Sequence, residues 1–193
     1  MLHARRQRDP YRARLWSAVF LNFALAAGFG AAAHGLQMPP ARNRILWHPL
    51  YACLNVSVAL MAAVATYDRW GLRALRRAAR PLFVLAALCF IVTRSVRRSF
   101  PVFIVYETLT MLYALMLYCD LVRRARPGAL ATVVGIALTM LAALVQSSRL
   151  RARIWRWEFD HNGLFHLVQL VALPLIAQGA LTSVEANSDV GFS

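Results

Sequence analysis

The sequence predicts an all-α fold, a polytopic transmembrane bundle of about six helices. Of its 193 residues 60% are hydrophobic and only 16% are charged, and the mean hydropathy is +0.51. Soluble domains carry about 25% charged residues, so this composition indicates a membrane protein. The arginines also cluster in short connectors between apolar runs that are long enough to cross a bilayer.

Six apolar runs are candidate spans, judged against the roughly 20 residues that a transmembrane helix needs. They cover residues 15–36, 47–67, 81–96, 101–121, 129–145 and 164–181. The third run is short and the fifth is just sufficient. Helix breakers stand where spans are expected to begin or end, at Pro39-Pro40, Pro81, Pro101 and Pro127-Gly128.

No connector is long enough to separate two domains, so residues 1–193 are predicted to form a single integral membrane domain. An arginine-rich N-terminal tail (1–14) and a short polar C-terminal tail (183–193) flank the helices. Placing the N-terminus inside puts the larger share of the arginines in the cytoplasm, which predicts an N-in, C-in topology. The basic, tryptophan-containing segment 149–156 is expected to lie along the membrane surface.

The cationic side chains restrict the chemistry and the partners. All 22 of the Lys+Arg residues are arginine, which excludes a lysine nucleophile or Schiff base. The formal net charge of +14 would suggest nucleic acid in a soluble protein. Because the arginines flank apolar runs, we predict membrane lipids as partners and no nucleic acid. The composition is also compatible with a homo-oligomer.

The last span begins with an unusual group of polar side chains. The stretch 158–169 carries two of the five histidines, two amides and two acids at the mouth of an apolar run. Such side chains are costly in a membrane segment and therefore mark a candidate functional site. Asp160 is placed to cap the helix, which would put His161 in its first turn. The alternative interpretation is that His161 is an ordinary interfacial residue and that His166 is hydrogen-bonded to a neighbouring helix.

Four histidines are predicted to lie towards one membrane face, because the direction of successive spans alternates. They are His34, His48, His161 and His166. Three neutral imidazoles from different helices can form an open zinc site whose fourth position takes a water. We predict His34, His161 and His166 as the zinc ligands, with His48 as the alternative third ligand. Ligation of haem by two histidines is a further alternative.

Side chains close to these histidines are predicted to support a metal site. Asn162 lies four residues before His166 and shares its helix face, and Gln169 follows His166 by three residues. With Asp160 and Arg94, they are expected to hold the ligands in place through hydrogen bonds.

Glu107 is the only carboxylate well inside a predicted span. An unpaired carboxylate there costs several kcal/mol, so it must be neutral, paired or bound to something. We predict it as the catalytic general base that activates a metal-bound water. The alternative is a structural ion pair with Arg94 or Arg98.

Two motifs resemble those of the CREST superfamily of membrane hydrolases, which contains the alkaline ceramidases and the progestin and adipoQ receptors. They are Ala33-His34-Gly35 near the end of an early helix and the stretch 160–166 opening the last helix. In that superfamily an early histidine and a late histidine pair hold zinc, whose water attacks a lipid amide. The resemblance implies that His34 and His166 are ligands. His161 matches less closely, because its spacing to His166 is H-x-x-x-x-H instead of H-x-x-x-H.

The sequence departs from the superfamily pattern at two positions. The family serine falls on Gly30 and the family aspartate falls near Ile45. Glu107 is the carboxylate at a comparable depth that could replace that acid. The resemblance therefore implies a zinc-dependent integral membrane hydrolase of lipid metabolism that acts on a lipid amide or ester. The alternative is a non-enzymatic membrane protein, a sensor of a small molecule or an assembly partner, whose histidines are structural.

Overall fold

The computed structural model describes residues 9–95 and 100–186, and the predicted all-α fold is confirmed. Five helices in this part of the chain are long and apolar enough to cross a membrane. The elements, in order, are α1 (Pro10–Gly35), α2 (Pro40–Ser95), α3 (Phe100–Arg123), α4 (Ala129–Ser147), β1 (Ala152–Ile154), β2 (Trp157–Phe159) and α5 (His161–Ala186).

The described residues contain five helices where six were predicted, because the spans at 47–67 and 81–96 both lie in α2. A straight helix of these 56 residues would be about 84 Å long, against a hydrocarbon core of about 30 Å. Gly71 interrupts the helix with φ 79° and ψ −173°, a conformation that glycine adopts readily. Val58, before this break, packs in one core cluster with Ala86 and Cys89, beyond it. Helix α2 therefore doubles back at Gly71 and supplies both predicted spans.

The boundaries of the predicted tails also change. Helix α1 begins at Pro10, so the end of the tail predicted at 1–14 is helical. Proline is favoured at the first helical position, where its missing N–H has no helical partner to lose. Helix α5 continues to Ala186, into the tail predicted at 183–193. Residues 1–8, 96–99 and 187–193 lie outside the described part.

The chain divides into two compact units, and Pro10–Ala114 form the first. In this unit α1 packs antiparallel to the first half of α2. The buried residues of α1 recur along one side, as expected for a helix that presents a single seam to its partner: Trp16, Val19, Ala26 and Ala33. Gly30 lies on the same side, and a Cβ added to it would lie 3.3 Å from Leu50 of α2.

Two tyrosines of α3 fix that helix against the first half of α2. The hydroxyl of Tyr106 donates to the carbonyl oxygen of Asn55 at 3.3 Å, and the hydroxyls of Tyr113 and Thr66 are 2.9 Å apart. Both pairs advance in the same direction along the two helices. The first half of α2 and α3 are therefore parallel. This is expected if the second half of α2, which connects them along the chain, runs in the opposite direction.

In the second unit, which contains the chain from Leu115 onward, α4 and α5 pack almost backbone to backbone. A Cβ added to Gly179 would lie 2.7 Å from the carbonyl oxygen of Gly128 and 2.9 Å from the amide nitrogen of Thr132. A Cβ added to Gly135 would lie 2.9 Å from the carbonyl oxygen of Ala172. Small residues allow this close approach, which is the usual basis of helix association in membranes.

A short antiparallel β-hairpin connects α4 and α5. Its strands pair Arg153 with Glu158 and Ile154 with Trp157, and Trp155 in the turn has φ 56°. A positive φ at this position suits the primed turns that match the twist of a hairpin. The prediction for 149–156 included no strands, because three residues per strand give too short an alternation to indicate one.

Candidate functional site

Asp160 caps the start of α5, which is the condition under which the sequence placed His161 in the first turn of this helix. Its Oδ1 accepts a hydrogen bond from the backbone N–H of Gly163 at 2.9 Å, and its carbonyl oxygen accepts one from Leu164 at 2.9 Å. The bond from Gly163 is the main reason why the pKa of Asp160 lies below its ordinary value. Asp160 is thus an N-cap residue that remains a carboxylate at neutral pH, and its predicted hydrogen bond to a zinc ligand stays a prediction.

The two histidines of α5 leave the helix in different directions. The helix begins at His161, so His166, five residues later, is rotated from it by about 140°. His166 is exposed, and its ring lies edge-on to that of Phe165 with the ring centroids 5.0 Å apart. His161 is half-buried. The helix thus does not turn these two side chains towards a common point.

The two amides predicted beside the zinc ligands contact α4. The Nε2 group of Gln146 donates to Oδ1 of Asn162 at 3.4 Å. The hydroxyl of Thr139 lies 3.5 Å from Oε1 of Gln169 and also donates to the carbonyl oxygen of Gly135 at 3.0 Å. Asn162 and Gln169 therefore form two polar contacts between α4 and α5, and their predicted support of zinc ligands stays a prediction.

In the first unit, His34 belongs to the corner where α1 meets α2. Its exposed ring lies edge-on to Trp47, with the ring centroids 5.3 Å apart. The indole N–H of Trp47 donates to Oδ1 of Asn43 at 2.9 Å, and the amide of Asn43 donates to the carbonyl oxygen of Ala33 at 3.0 Å. His34 thus packs against a tryptophan of α2 that is linked through Asn43 to α1, the helix that carries His34. His48, the alternative ligand, is half-buried on α2.

The predicted zinc ligands are not gathered in the described residues. Within 9–95 and 100–186, no group of three or more His, Cys, Asp or Glu side chains is arranged to hold a metal ion. His34 and His48 lie in the first unit, whereas His161 and His166 lie in the second. The predicted zinc site would combine ligands from both units, and it stays a prediction.

Glu107 is half-buried on α3, and it makes no hydrogen bond or ion pair within the part of the chain that the structure describes. Arg94 is exposed in the last turn of α2 and is likewise unpaired there. The ion pair proposed as an alternative role for Glu107 is therefore not formed with Arg94. Arg98, the other partner considered, lies outside the described residues.

A group of charged side chains that the sequence analysis did not combine into one site lies beside the start of α5. A depression of about 570 Å³ opens between the hairpin and the first turn of this helix. Two arginines and two acids line it together with Ala152, Phe159 and Gly163, and the four charged residues are Arg151, Arg153, Glu158 and Asp160. The sequence carries a signal for this group, because charged and apolar residues alternate on either side of the hairpin turn.

We expect the capping bond of Asp160 to titrate below the ordinary range of aspartate. Because the folded pKa is lowered, the stabilising effect of the cap is present above the ordinary pKa and is lost as the pH falls through the lowered one. The amide shift of Gly163, followed by NMR, should therefore titrate with a midpoint below that of a free aspartate. In Asp160→Asn, which can still cap, this titration should disappear. A midpoint at or above the ordinary value would contradict the assignment.

We expect the contact between Gln146 and Asn162 to give a measurable coupling. In a double-mutant cycle with both residues changed to alanine, the coupling should be about 0.6 kcal/mol and not above about 1.7, as for hydrogen bonds between other membrane helices. The measurement is unfolding of the purified protein in mixed detergents. His166→Ala is the control, because this side chain is exposed and should not couple to Gln146. Equal coupling of both pairs would contradict a direct contact.

Comparison with known proteins identifies a family but no characterised relative. No curated protein and no solved structure matches the chain. One family model matches residues 1–184, a range that includes α1 to α4, the hairpin and all but the last residues of α5. The chain belongs to this family, DUF6962, a family of unknown function.

Proposed function

We propose that this chain is a non-enzymatic multi-pass membrane protein, a sensor of a small molecule or an assembly partner, whose intramembrane polar side chains hold its helices together. The observation that carries the proposal is the use of Asn162 and Gln169. Both amides contact polar side chains of α4. These contacts supply the hydrogen-bond partners that a polar group would lack in hydrocarbon.

The topology proposed with this function is N-in, C-in. Helix α2 doubles back at Gly71, so the five helices would provide six crossings, and an even number returns the chain to its starting side. The larger share of the arginines then faces the cytoplasm, as the positive-inside rule requires. Membrane lipids are the partners that this arrangement implies.

A second candidate function is the zinc-dependent hydrolase of a lipid amide or ester. The observation that favours it is Glu107, a half-buried carboxyl without a hydrogen bond or ion pair among the described residues. Such a group within a span marks a functional-site candidate. This candidate also requires zinc ligands that the described residues do not bring together.

Glu107→Gln separates the two candidates. Because no described cation is paired with Glu107, the substitution strands no charge, and we expect the melting temperature to be unchanged. The proposed function predicts no turnover of amide or ester lipids by wild type or variant when zinc is supplied. A hydrolase in which Glu107 is the base would lose about 10²- to 10⁴-fold in rate while it keeps its fold. That loss would overturn the proposed function.

A further inference from the structure

The β-hairpin before α5 has one charged face and one apolar face. Arg153 pairs with Glu158 across the strands, and extending the register by one residue places Arg151 opposite Asp160. Alternate residues of a strand share a face, so these four charges lie together. Each strand thus carries charges of a single sign, positive on the first strand and negative on the second.

These charges are close together without being neutralised by direct contact. Arg151, Arg153 and Glu158 form no salt bridge or hydrogen bond through their side chains within the described residues, and they are exposed. The pKa of Asp160 is lowered mainly by its hydrogen bond from Gly163 and to a smaller degree by the charge of Arg151. Together they line the depression of about 570 Å³, a size suited to a small molecule or a headgroup. Its walls present two cationic and two anionic groups to one ligand.

The opposite face places the hairpin at the surface of the membrane. Ile154 and Trp157 share that face and are 50% and 66% exposed, and Trp155 at the turn is 78% exposed. Tryptophan with neighbouring arginine is typical of the headgroup layer, where the amphipathic indole ring contacts both hydrocarbon and polar headgroups. The hairpin also joins the ends of two spanning helices, α4 and α5. The depression therefore opens where phospholipid headgroups are found.

We propose that the charged face of the hairpin binds the headgroup of a phospholipid that carries both a phosphate and a primary ammonium, namely phosphatidylethanolamine. Arg151 and Arg153 bind the phosphate, for which guanidinium groups are well suited. Glu158 and Asp160 accept hydrogen bonds from the ammonium. The two-carbon link between phosphate and ammonium is comparable with the spacing of about 4.8 Å between neighbouring strands.

The carboxylates decide which headgroup is preferred. A primary ammonium donates three hydrogen bonds, whereas the quaternary ammonium of phosphatidylcholine donates none. Phosphatidylglycerol presents the same phosphate as phosphatidylethanolamine but carries no cation for the two acids to bind. This site does not depend on whether the chain is an enzyme, because none of its four charged residues is a predicted zinc ligand or the predicted base.

Native mass spectrometry of the full chain in mild detergent tests the proposal. Phosphatidylethanolamine, phosphatidylcholine and phosphatidylglycerol are added at equal concentration, and the lipid retained is measured. We expect preferential retention of one phosphatidylethanolamine. The double variant Arg151→Gln/Arg153→Gln should lower this retention about tenfold or more, equivalent to about 1.4 kcal/mol. Glu158→Gln should remove the preference over phosphatidylcholine while phosphate-containing lipids are still bound.

The matched control is Arg76→Gln/Arg77→Gln, which removes two exposed arginines from α2 and should leave lipid retention unchanged. Equal retention of the three lipids by wild type would overturn the proposal, as would unchanged retention in the Arg151 and Arg153 variant. Preference for phosphatidylglycerol would indicate attraction to net charge alone and would also overturn it. Soluble glycerophosphoethanolamine is the last arm: full competition at the concentration of the lipid would identify a free headgroup compound instead of a lipid.

Discussion

Replacing Gly179 with alanine is expected to destabilise the α4–α5 pair by about 3 kcal/mol or more, at the upper end of the usual cost of overpacking. The new Cβ would lie 2.7 Å from the carbonyl oxygen of Gly128 and would also meet the hydroxyl of Thr132. Backbone cannot move aside as a flexible side chain can, so the two helices must separate. Unfolding of the purified protein in mixed detergents measures the effect.

Gly28→Ala is the control for this prediction. Gly28 is an exposed residue within a helix, and a Cβ added to it meets no atom within 4 Å. Alanine is favoured over glycine inside a helix by roughly 1 kcal/mol, so this variant should be as stable as wild type or slightly more stable. Equal stability of the Gly179 and Gly28 variants would contradict the close packing of α4 and α5.

Removing the carboxylate of Asp68 is expected to cost about 3 to 5 kcal/mol, the usual effect of breaking a buried ion pair from one side. Nε of Arg12 lies 2.6 Å from Oδ1 of Asp68, and the two side chains are only 12% and 6% exposed. The guanidinium also lies over the ring of Tyr67, 5.6 Å from its centroid. Asp68→Ala would leave this cation buried, and a lower melting temperature should report the loss.

Arg124→Gln provides the comparison for this ion pair. Arg124 directly follows α3, and its Nε lies 2.8 Å from Oδ2 of Asp120 on that helix. The two side chains are 53% and 33% exposed. Solvent-exposed pairs of this kind contribute less than about 1 kcal/mol. If the two variants lost the same stability, the buried pair would not be the structural link between α1 and α2.

The fold class was predictable because composition and span length are properties of continuous segments. The helix count was not, because hydropathy located two spans at 47–67 and 81–96 but gave no sign that the connecting segment is helical up to Gly71 and again beyond it. The close approach of Gly135 and Gly179 to the facing helix was also not predictable. Both depend on which residues of α4 and α5 face each other, which only the packed pair determines.

For the candidate site, the sequence pointed to polar residues at the start of α5 but could not give their contacts with α4. The cap at Asp160 was predictable, because it is a local interaction with the residues that follow it. The roles of Asn162 and Gln169 were not, since their partners lie on α4 and depend on the register of the two helices. The predicted convergence of the histidines depends on how the helices lie side by side, which span counting alone does not determine, and it stays a prediction.

The content of bound zinc in the purified full-length protein tests most directly whether the polar side chains of the spans serve structure or metal chemistry. Elemental analysis compares wild type with His166→Ala after purification in a buffer that contains zinc. The proposed structural role of these side chains predicts no stoichiometric zinc in either protein. One zinc per chain in wild type, lost in His166→Ala, would contradict the structural role proposed for these residues and favour the hydrolase.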